Sequence, residues 1–275
     1  MITRADTGMV PALKTLWKDS FNDGDGYIDF FFDNRFKPEN TFVYLKNGSP
    51  VSMASAFDAE IYHDGQYTPI WYVYAVATAA DYRKEGLSSA LLEHIRGLYP
   101  STFLVPSSET LFGFYEKRGY KPAFAISEVE ISLEEMCAPD KAPVFGAVSA
   151  EEYKTARDAR FRKEGYIRWD TEAVAYALAE NAFQGGEALK VRAQGGKGPE
   201  GVILFNSRRG RLFVTETTLP PPDLRDAAFF LMKRTGAASC RVRFAPDAAE
   251  GARPFGMLRS EAVSVDQGYC NLVLD

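Results

Sequence analysis

The sequence predicts an α/β protein of the α+β kind, built as two domains that each set a mixed, mainly antiparallel sheet against helices. Three observations predict it. Apolar runs of strand length are joined by the hairpin signals Asn47-Gly48 and His63-Asp64-Gly65. Soon after them the apolar spacing changes to Leu91, Leu92, Ile95 and Leu98, which is helical. The same order of elements then returns in the second half, beyond a stretch rich in proline and small residues. A chain of 275 residues accommodates two domains of about 140. They are expected at 1–134 and 149–275, with a linker at 135–148 in the run CAPDKAPVFGAVSA.

In order, residues 10–22 (VPALKTLWKDSFN) and Tyr27 to Phe36 read as two amphipathic helices, separated by Asp23-Gly24-Asp25-Gly26. That DGDG lacks the ligand spacing and final glutamate of a calcium loop. Strands follow at Thr41 to Lys46, Val51 to Tyr62 and Gln66 to Thr78, then a glycine loop, a helix, a short strand TFLV, a helix in SSETLFGFYEKRGY, and a strand from Ala123 to Leu133. The second half offers helices at Glu151 to Lys163 and Thr171 to Phe183. Strands come next at Ala188 to Ala193, Gly201 to Phe205 and Arg211 to Leu219, with turns GGKG and SRRG between them. A helix at Leu224 to Arg234 and a strand at Ser239 to Phe244 close the series.

Composition narrows the classes of function. The chain is 46% hydrophobic and 25% charged, with a formal charge of −5, as in ordinary soluble proteins. A mildly acidic chain with no basic tract argues against nucleic acid or an anionic membrane as partner, and suits an amine substrate better. No apolar run has the length needed to cross a bilayer and the N-terminus lacks a signal core, so a cytoplasmic location is expected. Cys137, Cys240 and Cys270 are odd in number and scattered, which fits reduced thiols. With His63 and His94 the only histidines, no metal site is expected.

The loop at 83–88 carries the chemistry. Arg83, Lys84, Glu85, Gly86, Leu87 and Ser88 lie between a strand and a helix. The first N–H groups of that helix, through Ser89, lack partners within it, and the helix dipole adds partial positive charge, so phosphate oxygens are natural ligands. Gly86 permits close backbone approach, and Arg83 and Lys84 add positive charge. Ser88 is a good N-cap residue type. The bland alternative for the same residues is a helix entry turn.

Arg-x-x-Gly-x-Ser after a strand ending Ala77-Thr78, followed by helix, strand and Phe114-Tyr115-Glu116-Lys117-Arg118-Gly119-Tyr120, resembles the signature of the GCN5-related N-acetyltransferases, the GNAT superfamily. The close resemblance covers about fifty residues, and Ser88 stands where the family writes glycine or alanine. It implies acetyl-coenzyme A as co-substrate, its pyrophosphate held by the 83–89 loop. It also implies that backbone N–H groups around Val76, Ala77 and Thr78 hold the acetyl carbonyl and the pantetheine arm. Tyr115 matches the tyrosine that many members place beside the sulfur as general acid; an aromatic packing role is its alternative. The second half, by its element order, is expected to be a degenerate GNAT-like domain.

The base is more open. Alternation sets Asp58 and Glu60 on one strand face, and Glu60 is the candidate. Its rivals are the chain-terminal carboxylate, though Tyr269 to Leu274 reads as a buried strand, and Glu216. Phe21, Tyr27, Phe30, Phe31 and Phe32 either line the acceptor side or form helix core, and His94 reads as a packed histidine. In the second half, Leu219-Pro220-Pro221-Pro222-Asp223 replaces the glycine loop. Prolines remove amide donors there, so coenzyme A is not expected to bind. That half is expected to wall the acceptor cleft or to form a homo-oligomer interface. The expected activity is direct, sequential transfer of an acetyl group to a primary amine of a small molecule or peptide. The alternatives are a non-catalytic acyl-coenzyme A sensor and a purely structural tandem protein.

Overall fold

The computed structural model describes residues 1–193, 199–246 and 251–273. The chain divides into two compact units, Met1–Ala123 with Phe255–Asp266, and Phe124–Pro254 with Gln267–Asp275. The division falls earlier than the proline-rich stretch. The strand expected at 123–133, β6 (Lys121–Ser132), pairs antiparallel with β12 (Ser239–Phe244), and ladder hydrogen bonds outweigh adjacency in sequence.

The first unit opens with β1 (Ile2–Arg4), α1 (Val10–Phe21) and α2 (Asp25–Asn34). Proline in the first turn starts α1, and Asn22, in the left-handed region at φ 58°, ends it. Three antiparallel strands follow: β2 (Thr41–Lys46), β3 (Ser49–His63) and β4 (Gln66–Thr78). Then come α3 (Leu87–Leu98), β5 (Ser101–Leu104) and α4 (Glu109–Glu116). β5 runs parallel to β4, which the intervening helix makes feasible. The last strand of this sheet is β13 (Arg253–Ser260), which pairs antiparallel with β5 from Met257↔Leu104 to Ser260↔Ser101. α3 buries Leu87, Leu91, Leu92 and Ile95, and the last three join Phe42, Ala54, Ala56, Val73 and Tyr115 in one core. Each leucine, isoleucine, valine and phenylalanine side chain among them contributes about 1.5–3 kcal/mol of transfer free energy.

The second unit repeats this order: β7 (Val144–Ala147), α5 (Ala150–Phe161), α6 (Thr171–Phe183), β9 (Glu187–Arg192), β10 (Glu200–Arg208), β11 (Arg211–Thr217), α7 (Pro221–Thr235) and β12, with a two-residue strand, β8 (Ile167–Arg168), between the first two helices. β7, β9, β10 and β11 are antiparallel in turn, and β11 and β12 are parallel. Ser149 caps α5 in a reciprocal capping box with Glu152, and Asp170 caps α6 through the Ala173 amide.

Two expectations change. Residues 144–147, assigned to a linker, form β7 on the second sheet, paired with β9. Gly146 and Ala147 carry little strand propensity, which hid it. His94 is exposed and meets the Phe42 ring edge-on at 5.5 Å instead of packing inside. The GGKG turn at 195–198 lies outside the described residues, as do Leu274 and Asp275, so the terminal carboxylate does too. Before them Tyr269, Cys270, Asn271, Leu272 and Val273 are buried, with Tyr269 in an isolated bridge to Tyr166 in place of a regular strand. Among the described residues no helix is long and apolar enough to cross a membrane.

Candidate active site

The first unit's site begins with a fault in β4. Its pairing with β3 shifts between Met53↔Ala77 and Ser55↔Tyr74, so β4 carries one extra residue there. Ala75 lies at this bulge with φ 52°, a conformation that costs an alanine about 1–2 kcal/mol. On its other side β4 pairs with β5 only at Trp71↔Thr102 and Tyr72↔Phe103, and β5 ends at Leu104 while β4 runs on to Thr78. The Ala79 amide donates to Val51 O on β3 at 2.9 Å. Alternation therefore aims the Thr78 and Val76 amides at the opposite edge, where the two parallel strands part, and the Ala77 amide at β3. Ser52 Oγ fixes the strand end, donating to Ala77 O at 2.6 Å and lying 2.8 Å from Thr78 Oγ1.

The loop then leads into α3. Arg83 Nε donates back to Thr78 O at 3.1 Å, Lys46 pairs with Glu85, and Lys84 and Gly86 both hold positive φ, 69° and 81°. Gly86 is the N-cap, with no side-chain cap, and the first intrahelical bond runs from Ala90 N to Gly86 O. Leu87, Ser88 and Ser89 thus present amides with no carbonyl one turn back inside the helix. Ser88, expected to suit an N-cap, sits inside the helix and caps nothing. A Cβ on Gly86 would meet no atom of the chain, so the glycine serves its dihedral and leaves the approach open.

A cation that the motif contained but the sequence reading passed over completes the loop. Arg118 donates from Nε and Nη2 to Ser89 Oγ, and its guanidinium lies 3.4 Å from the centroid of the Phe114 ring. In the sequence it lies in the same run as Tyr115.

Tyr115, on α4, is buried at 8% exposure against Phe114 and Tyr120. Burial, with Tyr120 adding to it, pushes its phenol up to about 12. Among the described residues its hydroxyl makes no hydrogen bond. The proton is therefore held firmly on the phenol.

Residues 2–123 match the family described as the Acetyltransferase (GNAT) domain. The chain carries a GNAT domain. No curated protein matches the chain. Among solved structures it is similar to a protein of unknown function from Enterococcus faecalis V583, described as a probable N-acyltransferase (18% identity, TM-score 0.73, covering 94% of this chain and 72% of that one). It is also similar to GCN5-related N-acetyltransferases from Anabaena variabilis (17%, 0.74, 94% and 72%) and Kribbella flavida (18%, 0.68, 94% and 70%). At these identities the likeness speaks for the fold.

Within the GNAT domain the candidate residues separate into two groups. The bulged end of β4, the 83–89 loop and Arg118 follow one another along the opening of the sheet and the first turn of α3. Glu60 does not belong with them. It pairs with Pro69, seven positions along β4 from Val76, which at about 3.3 Å per residue is over 20 Å. No glutamate side chain spans that distance, so Glu60 stands apart from the bulge and the loop. Glu216 is engaged elsewhere. It is fully buried in the second unit, where both carboxylate oxygens accept from Arg157 Nε at 3.0 and 3.2 Å and Tyr269 donates to Oε2 at 2.9 Å. Phe31 and Phe32, read as core or acceptor wall, are core: Phe31 packs on Trp17 at 4.4 Å, and both are buried. Phe21 stays 39% exposed.

Proposed function

We propose that the GNAT domain is an acetyl-coenzyme A dependent N-acetyltransferase that moves the acetyl group directly to a primary amine. The observation that carries the reading is the uncapped first turn of α3 behind a left-handed glycine, with Arg118 beside it. Three outward amides, a helix dipole and a guanidinium together suit a diphosphate. The fit extends along β4, where the Val76 and Thr78 amides turn to the edge that β5 leaves, the direction in which a pantetheine arm would run from that diphosphate. Bound there, the co-substrate supplies a thioester carbonyl to attack.

In this reading the amine nitrogen forms the new C–N bond as the C–S bond breaks. The amide at Val76 or Thr78 stabilises charge on the carbonyl oxygen. Tyr115 gives its proton to the departing thiolate, and the amine's proton leaves to solvent. No side chain of the first unit is assigned as base.

Calorimetric titration with coenzyme A tests the site. Micromolar binding is expected in the parent chain and none in Gly86→Glu, which puts a carboxylate where phosphate would lie; equal binding in both removes the loop from the site. Thiol release from acetyl-coenzyme A with a panel of primary amines tests the chemistry. Binding without release across the panel would leave the sensor reading in its place.

A further inference from the structure

In the second unit the sheet splits between its two parallel strands. β11 and β12 pair from Arg211↔Ser239 to Val214↔Val242. Beyond that point β11 runs on to Thr217 bonded to β10, and β12 runs on to Phe244 bonded to β6. Asn271 bridges the strands where they part: its Nδ2 donates to Thr215 O at 2.8 Å, and its Oδ1 accepts from Arg243 Nη1 at 3.2 Å. Further along the split lies a cavity of about 130 Å³. Its walls come from two strand ends and two helix ends, not from one face of the sheet. Thr217 and Leu219 stand at the end of β11, Phe244 and Ala245 at the end of β12, Phe161 closes α5 and Pro221 opens α7.

The chemistry of this cavity follows from what its walls have already spent. The one hydroxyl among them, on Thr217, donates to Val202 O at 3.0 Å and accepts from the Leu219 amide at 3.1 Å. Pro221 and Pro222 have no amide hydrogen, so the first turn of α7 offers no cradle for a diphosphate. The interior therefore suits an apolar body. A cavity of about 150 Å³ holds benzene, so a single ring is of the right size. The Phe161 and Phe244 rings favour an aromatic guest.

One wall is charged. Arg160, in the last turn of α5, lines the cavity; it is exposed, and among the described residues its guanidinium makes no ion pair or hydrogen bond. Lys163, which has a partner of its own, adds a second positive charge, and among the described residues no carboxylate lines the cavity.

Room for one ring beside a guanidinium matches an aromatic ring that carries one negative charge. We propose that the split binds an aromatic monocarboxylate the size of benzoate. The ring lies against Phe161 and Phe244, and the two carboxylate oxygens take the planar fork of Arg160. The site uses no residue of the first unit and is independent of acetyl transfer.

Calorimetry on the full chain tests this with benzoate as the probe, beside benzamide, which keeps the ring without the charge, and acetate, which keeps the charge without the ring. Saturable binding of one benzoate per chain is expected, with benzamide about fivefold weaker for want of one exposed ion pair, and acetate weaker still. Arg160→Gln, at an exposed position, should bring benzoate down to the level of benzamide and leave benzamide unchanged, which shows that the fold and the cavity are retained. Undiminished benzoate affinity in Arg160→Gln would assign the ligand to another site. Benzamide or acetate binding as tightly as benzoate, or no saturable binding of benzoate, equally overturns the proposal.

Discussion

Arg118 reaches from the end of α4 to Ser89 in the first turn of α3, donating from Nε and Nη2 to one hydroxyl at 2.9 and 2.6 Å. One side chain therefore ties the helix that carries Tyr115 to the helix end proposed to hold a diphosphate. Desolvation works against its charge and lowers its pKa, and an arriving phosphate would offset that cost. Arg118→Gln should raise the dissociation constant for coenzyme A about tenfold, or about 1.4 kcal/mol. Dephospho-coenzyme A and pantetheine serve as controls: if the substitution costs pantetheine as much as coenzyme A, Arg118 supports the fold and not the phosphates.

Tyr115→Phe should lower turnover about 100-fold while leaving affinity for coenzyme A within about twofold. The parent enzyme should keep its proton donor through neutral pH, since burial holds the phenol near 12. The sign for stability follows from the same shift. The folded state binds the proton more tightly than the unfolded state, whose phenol titrates near 10. Its contribution is thus complete below about pH 10 and is lost as pH rises toward 12. Urea unfolding at stepwise rising pH should show a steeper loss in the parent than in Tyr115→Phe; parallel curves would remove this tyrosine from the account.

The second unit is organised around a buried charge pair. Arg157 Nε meets both oxygens of Glu216, Nη1 donates to Tyr166 Oη and Ile167 O, and Nη2 donates to Asn271 O. Burial opposes the charge on Arg157, but Glu216 outweighs it and holds the guanidinium above its ordinary range. Arg157→Met should destabilise the unit by about 3–5 kcal/mol, because it leaves a carboxylate buried without its counter-ion. The double variant Arg157→Met/Glu216→Leu should recover most of that loss in urea unfolding. A double variant worse than the single one would mean that the pair is worth more than its own desolvation.

Residues 255–266 belong to the first unit although most of the second lies between them and Ala123. A chain ending at 252 loses β13 and with it the buried Met257 and Leu258, leaving β5 as a sheet edge. Its first unit should lose about 3–6 kcal/mol at 1.5–3 per side chain, and a fragment 1–134 should aggregate. A soluble 1–134 fragment with a sharp thermal transition would contradict this.

Much of the fold was legible because its elements have strong local signals. β2, β4, α6 and β12 begin and end where turn residues and apolar spacing put them. The loop at 83–89 was legible for the same reason, since a strand, a glycine and a helical spacing are adjacent in sequence. β1, β7 and β13 were not. β1 and β7 are short edge strands, and the partner of β13, β5, lies far back along the chain, so their apolar spacing gives no local sign of pairing.

The sequence by itself determined where the helices start, which loop offers its amides, and that residues 2–123 carry a GNAT domain. Those properties are written in runs of a few residues, where dihedral preference and apolar period act directly. Only the tertiary structure decided that Glu60 stands far from the bulge, that Glu216 is consumed by Arg157, and that Arg118 meets Ser89. Register over a long hairpin and burial of a charge depend on residues tens of positions apart, and no local pattern encodes the distance between them.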